Sequence, residues 1–316
     1  MREKILIFGD GQIGNLYLTS FNKRGIPAKI SKVDITKAPQ LTRAISQYKP
    51  TVVINTAAKT NLEWCQENKL EAFNANVLGA ENVARACDVN NAYLIHFSSG
   101  CIFQSKDALD IKTEEDIPNP AAYYAWTKVW SENIIPFNKP PKFRYVIFRP
   151  RQPISSDVNY KNMLMKLLTF SKFVNTPNTL TVLEDLMEWT QVIIKKKPVG
   201  ILHVANNGWT SPYKIAQLLK KHILPKLKTT RISKVELDKI TPNRRVDTRL
   251  CVNKLESLGI KVPDVNIRLE KLIISLAKNL KTDGAKHVNE EIRKTVEMSK
   301  TRTILNDVWP TLLREK

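Results

Sequence analysis

Two short runs carry most of the chemistry this sequence can do: Ser99-Gly100-Cys101, and Tyr124 to Lys128 in the pattern Tyr-x-x-x-Lys. The first closes an apolar run, Tyr93-Ser98, that reads as a β-strand. In the second, the phenol and the ammonium stand four residues apart on a helical stretch and therefore share one face. A neighbouring ammonium lowers a phenol's pKa from its usual ~10 toward a value useful for proton transfer. Such a phenol is an acid for a carbonyl oxygen that is being reduced by hydride. Ser99, at the strand end, can donate to the same oxygen. An amphipathic helix with a packed tyrosine explains Tyr-x-x-x-Lys by itself. Its company, a strand-end serine and a nucleotide-type loop, selects the catalytic reading. Cys101 adds a thiol. Its bland role is a small buried hydrophobe; beside a ketone site it is a nucleophile or a base.

The loop is Gly9-x-Gly11-x-x-Gly14, placed after the apolar run Ile5-Phe8 and before a helix that runs to about Arg24. Glycine allows the tight turn and the close approach of backbone to a pyrophosphate, and the opening residues Gln12 and Ile13 supply N–H donors at the helix N-terminus. Near the second strand, Ala28-Val33, stand Lys29, Ser31 and Lys32, followed by Asp34. Cations and a serine there suit a 2′-phosphate and favour NADPH, with NADH as the alternative. Ala57, Ala58 and Lys59 follow the third strand, where small side chains let a cofactor lie against the backbone; an ordinary strand-to-loop turn explains them equally well.

The elements that must position these groups alternate. After the first two strands come a helix at Gln40-Gln47, a strand at Thr51-Asn55 and a long helix from Leu70 to Asn90. The strand Tyr93-Ser98, a helix at Tyr124-Phe137 and a strand at Tyr145-Phe148 complete the series. This pattern predicts an α/β fold, a doubly wound parallel sheet of the Rossmann type. We expect a dinucleotide-binding domain over 1–150, with return elements drawn from the 175–210 region. A smaller lobe over 151–276 follows, with pieces at Asn162-Thr169, Leu183-Lys195, Gly200-Val204, Ser211-Leu219 and Leu255-Leu258. Residues 277–316 form a charged extension of weak helical periodicity.

Composition narrows the class. The chain has 316 residues with 42% apolar and 25% charged, which fits an ordinary globular protein. No stretch approaches the ~20 apolar residues of a membrane span. The start, Met1-Arg2-Glu3-Lys4, runs straight into a strand, leaving no signal peptide, so a cytoplasmic protein is expected. Four scattered cysteines, Cys65, Cys87, Cys101 and Cys251, make neither a disulfide framework nor a metal site. The net charge of +20 attracts anions. Without an RNA-binding aromatic motif or a dense basic arm, we expect no nucleic-acid or membrane partner; a nucleotide sugar would benefit from the same field.

Beyond these readings, several strings resemble a known family. They are Ala57-Ala58-Lys59-Thr60, Trp64-Cys65, Asn76-Val77-Leu78-Gly79, Gly100-Cys101-Ile102-Phe103, Glu114-Glu115-Asp116, Pro153-Ile154-Ser155-Ser156-Asp157 and, most specific, Val174 to Leu183 (VNTPNTLTVL). From residue 4 to about 276 the chain resembles extended short-chain dehydrogenases/reductases of the dTDP-4-dehydrorhamnose reductase type. Within that group it is most similar to the plant-type UDP-4-keto-6-deoxyglucose 3,5-epimerase/4-reductases. The resemblance implies a UDP-sugar substrate, NADPH and room for a homodimer. It implies that Ser99, Tyr124 and Lys128 are the reductase triad, Cys101 and Lys166 the epimerisation pair, and Ser99, Gly100, Asn178 and Arg244 contacts to substrate. A 4-ketone acidifies the protons on C3 and C5; a base removes each and an acid returns it to the opposite face. Outside the resemblance, Lys166 reads as a solvated helix lysine. Two alternatives remain: a dTDP-4-dehydrorhamnose reductase without epimerase activity, and a non-catalytic NADP-binding regulatory subunit of the same fold. The chain departs from the family in a glycine loop one residue shorter than the usual GxxGxxG, in the bulky Ala125-Trp126 after Tyr124, and in the extension after 276.

Overall fold

Short apolar runs form strands of a parallel sheet because both faces of such a sheet are covered, so no polar alternation is needed. The computed structural model describes residues 3–107, 109–136, 143–241 and 246–299. Its main sheet contains β1 (Ile5–Phe8), β2 (Ala28–Ser31), β3 (Val52–Asn55), β4 (Tyr93–Phe97), β5 (Tyr145–Arg149) and β6 (Gly200–His203). Every pairing is parallel, in the order β6-β5-β4-β3-β1-β2. Ile5 lies opposite Ala28 on one side and Val52 on the other. The chain leaves β1 toward β2 and then crosses back to β3. The ends of β1 and β3 therefore border a topological switch point, where open α/β sheets bind ligands.

The flanking helices are α1 (Gln12–Lys23), α2 (Ala38–Tyr48), α3 (Leu62–Glu67), α4 (Lys69–Phe73), α5 (Gly79–Val89) and α6 (Tyr123–Ile134). The expected single helix from Leu70 to Asn90 is interrupted. A π turn, Asn74–Leu78, separates α4 from α5. The π turn is five residues long, too short for apolar spacing to set it apart from the helices on either side. The second strand stops at Ser31, short of the expected Val33, where Ser31 Oγ accepts from Val33 N in a turn. Phe137, the expected end of α6, lies outside the described residues.

The chain divides into two compact units: Met1–Pro150 with Asp185–Val204 and Leu250–Lys261, and Arg151–Glu184 with Ala205–Arg249 and Val262 onward. Asp185–Val204 lies within the 175–210 region from which return elements are expected, whereas Leu250–Lys261 interrupts the lobe expected over 151–276. Gly200–His203 pairs with β5 in the first unit's sheet. Most of α8 (Leu183–Lys196) also belongs there, with buried Thr190 hydrogen-bonded to the Tyr17 hydroxyl of α1 at 2.7 Å.

In the second unit, α7 (Met163–Leu167), α9 (Pro212–His222) and α12 (Val265–Thr282) bury one apolar core. Between them in sequence come α10 (Lys234–Ile240) and α11 (Asn253–Glu256); the latter belongs to the first unit. The change of character expected at 277 falls inside α12. A further helix, α13 (Ala285–Ser299), adds Val288 and Ile292 to the same core.

Within α12 the burial contrast is testable. Leu276 is fully buried while Ile274 is 49% exposed. Leu276→Ala is expected to cost about 2–5 kcal/mol of unfolding free energy, and Ile274→Ala within about 0.5 kcal/mol of zero, in urea titrations. Equal costs at the two positions would contradict this packing of α12.

Candidate active site

The glycine loop forms a cradle whose three glycines do different work. Gly9 has φ +98°, a region open to glycine, and a Cβ there would lie 2.6 Å from Thr56 Oγ1 and 2.7 Å from Ala57 N. A Cβ on Gly14 would lie 1.9 Å from Gly9 O, so the first turn of α1 can sit on the loop only with glycine there. A Cβ on Gly11 would meet no protein atom within 4 Å. That side of the loop is open to a ligand. Helix α1 has neither a side-chain cap nor an acidic residue in its first turn. No carboxylate lies within that first turn, which Gln12 and Ile13 begin. These residues fit a pyrophosphate. Asn15 braces the loop, Nδ2 donating to Asp10 O (2.6 Å) and Gly11 O (2.9 Å).

Across the crevice, Thr56 Oγ1 donates to Phe8 O at 2.9 Å, tying the end of β3 to the end of β1. Ala57 N donates to Asn55 Oδ1 at 3.2 Å, and Ala57 and Ala58 are half-buried. Lys59 is held through its backbone: its N donates to Asn76 Oδ1 (2.7 Å) and its O accepts from Asn76 Nδ2 (2.9 Å). Asn76 Nδ2 also donates to Thr127 Oγ1 at 2.9 Å. One buried amide in the π turn therefore joins the β3 loop to α6, one residue before Lys128. Asp34 is exposed. Its Oδ1 accepts from Thr36 N and Thr36 Oγ1, both 2.9 Å, and these bonds hold its carboxyl below the usual range.

Tyr124 and Lys128 are both buried, and Lys128 Nζ lies 6.0 Å from the centre of the Tyr124 ring. Lys128 Nζ donates to Phe97 O at 2.8 Å, at the end of β4. Burial pulls this ammonium down to about 8. Two residues beyond Phe97, Ser99 accepts from Cys101 N at 3.1 Å. Gly100 N donates to Pro150 O at 2.8 Å, fixing the turn Gly100–Ile102 that packs against α6. The turn leaves Cys101 half-buried. Trp126, two residues from Tyr124, is 44% exposed and packs on Trp130 at 6.0 Å. A second thiol, Cys65, is buried with Tyr124, and burial pushes it up to about 11.

Behind the reactive face lies a polar network the sequence reading missed. Glu132 continues the row Tyr124–Lys128–Glu132 and accepts two bonds from Arg149, Nε at 3.0 Å and Nη2 at 2.7 Å. Ser98 Oγ donates to the same carboxylate. Arg149 Nη1 donates to Glu114 O (3.1 Å) and to His203 Nε2 (3.4 Å), while His203 Nδ1 donates to Cys251 O (3.0 Å). Burial and the guanidinium hold His203 down to about 3. His96 is also kept neutral, by burial and then by Lys128. Asn55 Nδ2 donates to His96 Nδ1 at 3.3 Å, so Nε2 carries the proton and donates to Ser131 Oγ at 3.2 Å. The i, i+4, i+8 spacing of Tyr124, Lys128 and Glu132 was the available signal for Glu132.

The remaining expected residues stand on the second unit. Lys166 is half-buried on α7. Asn178 is 2% exposed and its amide is engaged by protein: Oδ1 accepts from Arg151 Nη2 (2.7 Å) and Thr248 N (3.0 Å), and Nδ2 donates to Asp247 Oδ1 (3.1 Å). It organises its surroundings rather than presenting a free amide. Arg244 lies outside the described residues. Among the described residues no helix is long and apolar enough to cross a membrane, and no group of three or more His, Cys, Asp or Glu could hold a metal ion.

With this geometry in hand, comparison with known proteins is informative. Residues 3–277 match the family model described as the RmlD substrate binding domain. An Arabidopsis thaliana trifunctional UDP-glucose 4,6-dehydratase/UDP-4-keto-6-deoxy-D-glucose 3,5-epimerase/UDP-4-keto-L-rhamnose-reductase is 31% identical over 266 residues, 80% of this chain and 39% of that protein. The chain thus spans well under half of that relative's length. A bifunctional dTDP-4-dehydrorhamnose 3,5-epimerase/dTDP-4-dehydrorhamnose reductase of the same plant is 27% identical over 289 residues, covering 88% of this chain and 94% of that one. Among solved structures, dTDP-4-dehydrorhamnose reductase from Bacillus anthracis in complex with NADP superposes with a TM-score of 0.77 at 22% identity, covering 87% of this chain and 99% of that one.

Two consequences are measurable. Lys128 gives up its proton near pH 8 in the fold and near 10.5 when unfolded. Below 8 both states hold it; between 8 and 10.5 only the unfolded state does, so stability contributed by this site rises with pH across that window. Urea midpoints of the wild type should therefore gain on those of Lys128→Met from pH 8 to 10, and parallel curves would refute the burial argument. Asn76→Ala strips partners from the part-buried Lys59 backbone N–H and carbonyl and from the buried Thr127 hydroxyl, and should cost about 2–3 kcal/mol in the same titration.

Proposed function

We propose a reductase that is also an epimerase for this chain, which belongs to the RmlD substrate binding domain family. The substrate read from the resemblance is UDP-4-keto-6-deoxy-D-glucose, epimerised at C3 and C5 and then reduced at C4 to UDP-L-rhamnose. The carrying observation is the arrangement around one strand end. A fully buried ammonium, Lys128, is bonded to Phe97 O beside the Tyr124 ring, and Ser99 and Cys101 follow on that strand's exit. The near-equal lengths of this chain and the bifunctional plant relative support two activities in one chain of this size.

The residues divide the work. Bound NADPH supplies the hydride. The open side of the loop at Gly11 and the uncapped N-terminus of α1 suit its pyrophosphate. Lys29, Ser31 and Lys32, at the end of β2, are the candidates for its 2′-phosphate. Tyr124 gives its phenolic proton to the C4 oxygen, and the Lys128 charge favours the phenolate left behind. Ser99 Oγ accepts from Cys101 N, which leaves its own O–H to donate to the same ketone oxygen. Before reduction, Cys101 and Lys166 take and return the acidic protons at C3 and C5. Each inversion needs a base on one face and an acid on the other: a Cys101 thiolate that takes the proton and a Lys166 ammonium that returns one to the opposite face of the enolate would supply both, leaving a thiol and an amine that exchange protons with solvent.

The test is incubation with UDP-4-keto-6-deoxy-D-glucose and NADPH in heavy water, read by NMR of the sugar. UDP-L-rhamnose carrying deuterium at C3 and C5 is expected. Tyr124→Phe should lower reduction by at least about a hundredfold while C3 and C5 still exchange. Cys101→Ser should block exchange and still reduce a ketone that is already epimerised. Reduction without deuterium would leave a 4-reductase alone. Equal loss of both activities in the two variants, with the fold intact, would end the division of labour.

A further inference from the structure

Helix α13 lies beyond the residues that match the family model, which end at 277. It is nevertheless built into the second unit. Val288 and Ile292, each 1% exposed, and Thr295, fully buried, lie on one face at helical spacing. That face packs against α7, the helix of Lys166. The contact is also polar and specific. Glu291, 7% exposed, accepts from Tyr160 N through Oε2 at 2.7 Å, in the loop that leads into α7. Lys294 Nζ lies 3.1 Å from Glu291 Oε1 and 5.7 Å from the centre of the Tyr160 ring. From α12, Asn279 Nδ2 donates to Ser156 O at 2.9 Å, in the same loop. Asn162, fully buried, closes the loop from within. It donates to Ser155 O (2.8 Å) and Asp157 O (2.9 Å) and caps α7 through Leu164 N (3.1 Å).

Helix α7 has only five residues, Met163–Leu167, too few to hold itself. Its position must come from what packs on it. A loop N–H held by a buried carboxylate is fixed in direction as well as distance.

We propose that α13 is a brace that holds the loop 155–162 and α7 in the geometry that Lys166 requires, with Glu291 as its positioning residue. This rests on the role of Lys166 proposed above. The extension is then a working part of the epimerising half of the chemistry, and the reductive half, carried by the first unit, has no need of it.

The experiment compares the full-length wild type, Glu291→Ala and Glu291→Gln by two readouts. The first is backbone amide hydrogen exchange, which needs no activity. Glu291→Ala should exchange at least about tenfold faster over residues 159–168, with the strands of the first unit unchanged. Glu291→Gln retains an acceptor oxygen and should restore most of the protection. The second readout is deuterium entry at C3 and C5 of UDP-4-keto-6-deoxy-D-glucose, beside NADPH-dependent reduction of an already epimerised ketone. Glu291→Ala should slow deuterium entry about ten- to a hundredfold and leave reduction within about twofold, again with rescue by Gln. Unchanged amide exchange over 159–168 in Glu291→Ala would overturn the brace. So would a parallel loss of deuterium entry and reduction, which a general structural role predicts. A wild type that shows no deuterium entry would overturn the role of Lys166, and the amide readout would still decide whether α13 holds α7.

Discussion

Lys128 holds an ammonium in the interior of the first unit, and the structure around it answers to that charge. Removing a cation from water is expensive unless acceptors and opposite charge replace the lost hydration. Phe97 O supplies the acceptor, and Glu132, one turn along α6, supplies the opposing charge. Glu132 is itself claimed by Arg149 through two bonds, so the row runs cation, anion, cation. Two positive groups leave no room for a third. His96 lies beside the first and His203 beside the second, and both are held neutral. Their tautomers follow from their partners: His96 donates through Nε2 and His203 through Nδ1.

That balance has a mechanical result. Helix α6 is tied to the exit of β4 at two adjacent residues, through Lys128 to Phe97 and through Glu132 to Ser98. Ser99 comes next. Its distance from Tyr124 is therefore set by bonds on the preceding residues. On the other flank, Asn76 ties the same helix to the β3 loop. A buried side-chain amide that meets three partners costs little when all are satisfied and much when one is lost, which makes it a stiff connector.

The sheet was legible because its strands are apolar runs bounded by turn residues, a signal that lies wholly in the local sequence. The tight glycine loop and the shared helix face of Tyr124 and Lys128 were legible for the same reason: each pattern closes within six residues. What was not legible depended on distant partners. A return element from the 175–210 region was expected, but nothing local says that Gly200–His203 is the segment that pairs with β5. The π turn at Asn74–Leu78 is five residues long, too short to stand out in the periodicity of the helices around it. Asn178 sits in the string most specific to the family, yet its amide is consumed by Arg151, Asp247 and Thr248, none of which is near it in sequence. Helix α13 was a matter of proportion. Four positions are buried on this highly charged helix, Val288, Glu291, Ile292 and Thr295, and only two of them are apolar, a narrow stripe that is still sufficient for packing.

On the proposed chemistry, a hydroxyl and a thiol serve one sugar ring, and the turn after β4 is what holds them together. Ser99 is extended, at φ −160° and ψ 140°, and the chain then tightens into the turn Gly100–Ile102. The Ser99 oxygen accepts from the Cys101 amide, and Gly100 is pinned to Pro150. The backbone that carries the two side chains is therefore one braced turn, and their Cα positions, two residues apart, move together. On the proposed chemistry, this coupling is useful. C4 is bonded to both C3 and C5, so a group aimed at the C4 oxygen and a group aimed at a neighbouring carbon must keep a fixed separation through successive steps. A flexible loop would spend binding energy to restore that separation each time; a capped turn at a strand end holds it in advance.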